Sequence, residues 1–586
     1  MGVAIALDPI TVEVIGKHLL AIAEEMEVIL VKASYSTNIK ERRDCSTAIV
    51  DATGDVIAQG QHNPMHLGAV AGIVHEILRH HPVETIRPGD VFVANDPYFG
   101  GNTHLPDVAV AAPFFDGDRL LGFVTNAAHH AEIGGSPSAA TDIYCEGLRI
   151  PTVRFYREGR LNQDVMDLFL LNCRVPRERQ ADLRAQVAAC HGGLKRLDEL
   201  FAKYGADVVL AAKEHLFRQA ERQLQRALER VPDGRYTFEE VVDDDGVDDG
   251  PFTIRVAVVK HGDRLTFDFT GTDPQVRGGI NMVLDATRAV VQYAIKSILD
   301  PTLPPNSGFT RAVEIVAPPG TIANSRPPGA TMNRSDTAQR FVDVLYGALA
   351  QALPDRVPAA SNGAICGCQF FGPGGPGRAG TDYYTYLETI GGGMGARPTK
   401  DGLDGVQTHM SNTSNLPVEA LETEYPLRVE RYALIPDSGG IGTYRGGLGL
   451  RREYRILGAG SRLRTKGERH RSVPWGLAGG GPGRAGRNAI VDGSGERVVG
   501  SKAYNVALQP GDLVRIDTPG AGGYGPPEAR GRDDVLWDLL EEKISPETAA
   551  ATYGLVPKDG ELAALARRGR RDPAASVDRP APGMDS

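Results

Sequence analysis

Cysteine is scarce in this sequence: there are six in 586 residues, and Cys366 and Cys368 are two apart, which is not zinc-ribbon spacing. Neither a disulfide framework nor a cysteine-based metal site is expected, and the thiols should be reduced. Long apolar runs are also missing. No stretch approaches the ~20 unbroken apolar residues that a membrane-spanning helix needs. The N-terminus has no basic n-region, and its short apolar start meets Asp8 at once, which predicts no secretory signal peptide. Basic excess is absent as well. A net charge of -10 and a pI near 5.8 argue against nucleic acid or a membrane surface as partner. Finally, a nucleotide-binding loop is missing. The nearest match, Gly495 to Lys502, has its Ser and Lys in the wrong order and runs into a strand-like segment. No Ser–His–Asp or Cys–His nucleophile stands out either. These absences predict a cytoplasmic protein that uses other chemistry.

What is present is an ordinary globular composition, 41% hydrophobic and 24% charged. The length predicts roughly three or four units of about 150 residues. Ile10, Val14, Ile15, Leu19, Ile22, Met26, Ile29 and Leu30 recur at helical spacing. From there to about residue 130, short strands alternate with turns, interrupted by helical spacing over 67–81. Helical spacing returns from Arg177 to about Arg230, broken near Gly205, and Pro232-Asp233-Gly234 marks a boundary. Strands over 253–259 and 264–270 precede helices over about 286–299 and 336–352. A Gly-rich, strand-dominated region follows, then a last helix over about 533–543. The tail after Arg567 has a disordered composition. The expected class is α+β, a multidomain mixture of helices and sheets with a metal-binding N-terminal region and a Gly-rich β-dominated C-terminal half. The expected units are 1–231, 232–360, 361–530 and 531–586. One local stretch, Arg451 to Arg471, is strongly basic. It reads as a solvated strand face, a docking surface or an anion site.

Nine of the 14 histidines lie within the first 130 residues. The sharper signal among them is His104-Leu105-Pro106-Asp107 together with His129-His130. Asp116-Gly117-Asp118 is a turn between two strand patterns, so 108–115 and 120–125 should form an antiparallel hairpin. If Phe115 pairs with Leu120, an unbroken register places Asp107 opposite Ala128 and His129 beside Asp107. Pro106 disfavours helix at Leu105, so His104 and Asp107 share a bend that can aim both at one point. Two imidazoles and a carboxylate converging in this way make an open three-ligand site. A fourth ligand could be Asp44, which starts a strand whose hairpin brings it near Asn63, or His62. Gly391, Gly392 and Gly393 let backbone N–H groups approach a phosphate or carboxylate, or simply make a tight turn.

The residues then resemble a family. Asn95-Asp96-Pro97-Tyr98 with Gly100-Gly101-Asn102-Thr103-His104-Leu105-Pro106-Asp107 is similar to the hallmark of the hydantoinase B/oxoprolinase family. Further similarities are Glu41-Arg42-Arg43-Asp44-Cys45-Ser46, Gly271-Thr272-Asp273-Pro274, Thr408-His409-Met410-Ser411-Asn412-Thr413 and Gly522-Gly523-Tyr524-Gly525. They run in order along nearly the whole chain. The resemblance implies a divalent metal, zinc with manganese as the alternative, on Asp44, His104, Asp107 and His129, and so selects Asp44 over His62. It implies a hydantoinase A-like ATPase partner that phosphorylates the carbonyl oxygen of a cyclic amide, which this chain then hydrolyses. His130 and Asp96 are the expected orienting or proton-shuttling groups. Gly391 to Gly393, with His409 and Asn412, are the expected substrate or phosphate contacts. The alternatives are a component of an ATP-dependent ketone carboxylase and a non-catalytic scaffold for an ATPase.

Overall fold

Strands buried on both faces need no polar alternation, which is why 108–115 reads as a continuous apolar run. The computed structural model describes residues 7–60, 63–67, 69–374 and 383–568. In it the N-terminal strands are β1 (Cys45–Asp51), β2 (Val56–Gln59), β3 (Val91–Ala94), β4 (Asp107–Asp116), β5 (Arg119–His129), β6 (Val153–Arg157) and β7 (Arg160–Leu161). They form one sheet in the order β2-β1-β5-β4-β3-β6-β7. All of its pairings are antiparallel.

The helices of this part are α1 (Pro9–Ala33), α2 (Thr37–Lys40), α3 (Ala69–His80), α4 (Gln163–Leu171), α5 (Pro176–Tyr204) and α6 (Ala206–Leu228). Asp8 caps α1 by accepting the Thr11 N–H, and Pro9 occupies its first turn. One sheet face packs on α1, α5 and α6 through residues such as Leu19, Met26, Val110, Val124 and Val187. The other face packs on α3 through Val70, Ile73 and Ile77 against Val50, Phe92 and Ala111.

A second sheet holds β8 (Gly234–Asp244), β9 (Asp249–His261), β10 (Arg264–Asp268) and β11 (Val313–Val316), with β11 joined in parallel. Against it pack α7 (Leu284–Ala294) and α8 (Arg334–Leu349). All 16 residues of α8 are buried, so its polar side chains must find partners inside the protein. Thr337 donates to the Ile280 carbonyl at 2.7 Å, and Asp343 accepts from Arg469 at 2.7 Å.

Two further sheets make the Gly-rich part. They comprise β12 (Gly367–Pro373), β13 (Tyr383–Thr389), β14 (Leu427–Leu434), β15 (Leu450–Ile456), β16 (Arg462–Lys466), β17 (Arg487–Asp492), β18 (Gly495–Val499), β19 (Val506–Ala507) and β20 (Leu513–Asp517), with α9 (Val418–Glu424) before β14. Their orders are β13-β12-β16-β19 and β14-β15-β20-β17-β18, and they share a core that includes Phe370, Tyr386, Tyr454 and Ile516. Mixed helices and antiparallel sheets are the expected class. The expected last helix is α10 (Arg532–Leu540), but α11 (Pro546–Tyr553) and α12 (Glu561–Arg568) follow it. Their signals were local: Ser545 accepts the Thr548 N–H, Pro546 sits at the start of α11, and Gly554 closes it in the left-handed region. Both are short helices packed on α10 through Leu536, Ala549 and Leu565. Residues 569–586, most of the expected disordered tail, lie outside the described residues.

One close contact fixes the loop that precedes β4. A Cβ on Gly72 of α3 would lie 2.0 Å from the Gly101 carbonyl oxygen, and Gly101 itself sits at φ +72. Helix and loop therefore meet backbone to backbone, as only glycine permits. Gly72→Ala should cost about 1–3 kcal/mol through overpacking and lower the apparent Tm. Gly493→Ala, where a Cβ meets nothing within 4 Å, should leave it nearly unchanged. Equal thermal unfolding of the two variants would show that the contact does not hold the loop.

Candidate metal centre

β5 runs between β1 and β4, and the ends of the three strands meet in one row. Cys45 pairs with Ala128, and the His129 N–H donates to the Asp44 carbonyl at 2.9 Å. On the other side Asp107 pairs directly with His129. Phe115 does pair with Leu120 as expected, but the register shifts between Phe114 and Phe115, so Phe114 faces Gly122. This bulge at Leu121 moves the remaining hairpin by one residue and puts Asp107 opposite His129 instead of Ala128. Asp44, His129 and Asp107 are thus neighbours across adjacent strands.

His104 joins them through the bend before β4, where the Asp107 N–H donates to the His104 carbonyl at 3.3 Å. His104 Nε2 lies 3.0 Å from Asp107 Oδ1, yet neither atom has a hydrogen-bond partner of acceptable geometry although both are buried. One ligating atom from each of His104, Asp107 and His129 can be chosen within 4.8 Å of the others. Burial, with Arg334 adding to it, pushes the His104 imidazole down to about 4, and burial pushes His129 down to about 3. Both rings are therefore neutral near pH 7, the form that ligates a metal. Burial works against the Asp107 carboxylate, but His104, Arg334 and His66 hold it well below its ordinary range. Asp44 is lowered in the same way by His129, His66 and Arg42 against its own burial.

The surrounding side chains hold these groups in place. Asn63 Nδ2 donates to Asp44 Oδ1 at 2.8 Å. Asn38 Nδ2 donates to the His129 carbonyl at 2.6 Å and lies 3.2 Å from His129 Nδ1. Arg42 Nη1 donates to Asn38 Oδ1 and to the Leu387 carbonyl, and its Nη2 donates to Thr389 Oγ1 of β13. Arg334, at the start of α8, donates to Asp107 Oδ2 at 2.6 Å and to Thr103 Oγ1 at 2.9 Å. The set fits a divalent metal: two imidazoles and two carboxylates, with orphaned buried atoms among them.

His66 was not singled out from the sequence. Its Nε2 lies 3.5 Å from Asp107 Oδ1 and 3.9 Å from Asp44 Oδ1, and its Nδ1 is 3.1 Å from Ser46 Oγ. Although burial opposes it, the two carboxylates raise its pKa. The missed signal was Asn63-Pro64, a turn in which Asn63 Oδ1 accepts the Met65 N–H and starts the short 3-10 helix Pro64–Leu67. Arg334 had no local signal, because it reaches Asp107 across 227 residues, and the contacts of Arg42 with Leu387 and Thr389 had none for the same reason.

The other expected site residues have different surroundings. His130 follows His129 and also lines the cavity, with its Nε2 3.0 Å from Gln186 Oε1 of α5. Asp96 accepts the Tyr98 and Phe99 N–H groups and pairs with Arg149 at 2.6 Å. Gly391, Gly392 and Gly393 are packed among backbone and Asn362, and a Cβ on Gly393 would lie 2.1 Å from the Gly447 carbonyl oxygen. His409 contacts the Tyr293 hydroxyl at 3.1 Å and Asp343 at 3.6 Å. Asn412 is exposed between Ser411 and Thr413, which line the cavity. His62 lies outside the described residues.

Asp44, His104, Asp107 and His129 line a cavity of about 600 Å³. Glu146, also in its wall, accepts the Thr331 and Met332 N–H groups at 2.6 and 2.7 Å, and burial pushes its carboxyl up to about 7.

Comparison with known proteins gives this arrangement its context. The chain is 37% identical over 577 residues to a putative D-/L-hydantoinase subunit of Pseudomonas sp. strain NS671, covering 95% of this chain and 96% of that one. Its structure is similar to the ATP-dependent caprolactamase of Pseudomonas jessenii, with a TM-score of 0.88 and 30% identity over 96% of this chain and 99% of that chain. It shares its fold with nucleotide-free acetone carboxylase, TM-score 0.86 at 19% identity, over 98% of this chain and 84% of that chain. No helix among the described residues is long and apolar enough to cross a membrane. The hydantoinase B/oxoprolinase family model matches residues 8–527, and the chain belongs to that enzyme family.

Proposed function

We propose that this chain is the catalytic, metal-binding component of an ATP-dependent cyclic amide hydrolase that works with a separate hydantoinase A-like ATPase. The observation that carries this reading is the pair of buried, hydrogen-bond-orphaned atoms, His104 Nε2 and Asp107 Oδ1, facing each other with His129 close by. Buried polar atoms without partners are costly, and a cation between them removes the cost. Asp44, His104, Asp107 and His129 would hold one divalent metal, zinc with manganese as the alternative. When bound, such a metal supplies Lewis acidity and a nucleophilic water at neutral pH.

The chain's own residues then do three things. Asn38 and Asn63 fix the orientation of His129 and Asp44, and Arg334 fixes Asp107, as groups behind metal ligands do. His66, beside both carboxylates, is placed to hold a proton released at the site. His130 and Asp96 act at one remove, His130 through the strand end it shares with His129 and Asp96 through the turn it builds ahead of His104. On this reading the partner uses ATP to phosphorylate the amide carbonyl oxygen, which makes its carbon electrophilic. Water attack on that carbon gives a tetrahedral species whose C–N bond breaks, the nitrogen leaving as a protonated amine. A second water releases phosphate from the acyl phosphate left behind, giving the ring-opened amino acid. That its relatives include a putative hydantoinase subunit and an ATP-dependent caprolactamase supports the assignment.

Elemental analysis of untagged protein should find about one divalent metal ion per chain. Asp44→Ala and His129→Ala should each lower that occupancy, and a metal-free wild type would remove the basis of the reading. The chain alone should neither consume ATP nor open cyclic amides. With its partner, His104→Ala should cut ring-opened product by roughly 10³-fold or more while substrate-stimulated ATP consumption partly persists and the two proteins still co-elute. Wild-type product from a His104→Ala complex that has lost its metal would leave this chain as a scaffold.

A further inference from the structure

β16 reads Arg462-Leu463-Arg464-Thr465-Lys466, and its burial alternates. Leu463 and Thr465 are buried, Arg464 and Lys466 are half-buried, and Arg462 is exposed. A strand places alternate residues on one face, so three cations share a face, and that face lines the same cavity as the metal-site residues. Arg462 stands opposite Phe371, Arg464 opposite Gln369 and Lys466 opposite Gly367. At about 3.3 Å per residue the row extends for roughly 13 Å. Its inner end is close to the proposed ligands, since both Arg334 and Asp44 act electrostatically on Lys466.

The partners of these cations set them apart. Eight Lys and Arg residues lie between Arg451 and Arg471. Five have a carboxylate: Arg451 with Asp517, Arg452 with Glu388, Arg455 with Glu430, Arg469 with Asp343 and Arg471 with Asp249. The three on the cavity face have none within 4.0 Å among the described residues. Arg462 donates to the Asn505 carbonyl and Oδ1 at 3.1 and 3.0 Å. Arg464 donates to Asn333 Oδ1 at 2.8 Å and stacks over Tyr504 at 5.1 Å. Lys466 donates to Ser335 Oγ at 2.8 Å. Asp336 acts on Arg464 and Lys466 from a distance, with one oxygen occupied by the Ile365 N–H. Asp336, Asp44 and Glu146 act on this face only from beyond ion-pair distance, so the half-buried Arg464 and Lys466 touch neutral groups alone and are incompletely compensated. Burial accordingly lowers the Lys466 pKa.

We propose that Arg462, Arg464 and Lys466 form a ladder that binds the phosphoryl dianion of an O-phosphorylated substrate, and therefore inorganic phosphate, along the cavity leading to His104, Asp107 and His129. The fork of an arginine meets two phosphate oxygens at once, and a lysine adds a compact charge. Three unpaired cations suit a dianion better than a single carboxylate. That the phosphoryl group belongs to a substrate rests on the hydrolase reading, whereas the anion site itself does not.

Calorimetric titration of inorganic phosphate into the full chain, as purified and after chelator treatment, tests the ladder. Binding is expected in both preparations. It should weaken at least tenfold in Arg464→Gln and in Lys466→Met, and also in the exposed variant Arg462→Gln, with apparent Tm and metal content kept. Acetate, a monoanion, should bind at least tenfold more weakly than phosphate. Unchanged phosphate affinity in all three variants would overturn the proposal, as would phosphate binding that disappears with the metal. Loss of binding in the variants together with no ring opening by any reconstituted complex would keep the ladder and discard the hydrolase reading. Ring opening with an unaltered KM in all three variants would do the reverse.

Discussion

The position of β5 between β1 and β4 governs the rest of the site. A sheet fixes the spacing of neighbouring strands at about 4.8 Å, so residues at the same level on three strands come together with no freedom to drift. Asp44, His129 and Asp107 occupy that level. Two carboxylates this close repel each other, and their folded arrangement needs positive charge nearby. The protein supplies part of it through Arg334 on Asp107 and through His66 between the two acids. The rest is the proposed task of a metal.

This constraint explains why α8 is buried on every side. A helix that must carry Arg334 into the site cannot lie on the surface. Its other polar residues are tied off internally, Asp343 to Arg469 and Gln339 to the His409 carbonyl. His409 therefore has a use in the fold already, holding Asp343 and Tyr293 around that helix. The glycine run at 391–393 similarly lets the chain pass the Gly447 segment at backbone distance. Residues that stand out in the sequence can reflect such packing as readily as ligand contact.

Local signals in the sequence carried the hairpin well. Asp116-Gly117-Asp118 named the turn, the apolar runs named β4 and β5, and Pro106 named the bend that brings His104 to Asp107. The exact partner of Asp107 was not legible, because a bulge at Leu121 adds one residue, and the adjacent Gly122 does not by itself distinguish a bulge from continuous pairing. The hairpin of β1 and β2 placed Asp44 near Asn63, as their hydrogen bond has it. His66 escaped because it stands on a short 3-10 turn and not on a strand or helix with a readable period. In the basic stretch, strand alternation was visible, but the acids that meet its cations stand on β9, β13, β14, β20 and α8, and pairing between distant elements leaves no local trace.

The longest dependence runs through Arg42. Its guanidinium holds Asn38, which in turn holds the His129 backbone, and it also donates to the Leu387 carbonyl and Thr389 Oγ1 of β13. Arg42 is 1% exposed, and without those acceptors its buried N–H groups would have no partner, at a cost of about 1–3 kcal/mol each. The orientation of His129 thus depends on strands more than 250 residues further along the chain. Arg334 ties Asp107 to the middle sheet across 227 residues in the same manner. The N-terminal sheet places the proposed ligands in a row, but the later sheets supply the groups that stop them from turning. The proposed metal chemistry is therefore a property of the whole chain, and a fragment ending before α8 would have the ligands without their supports.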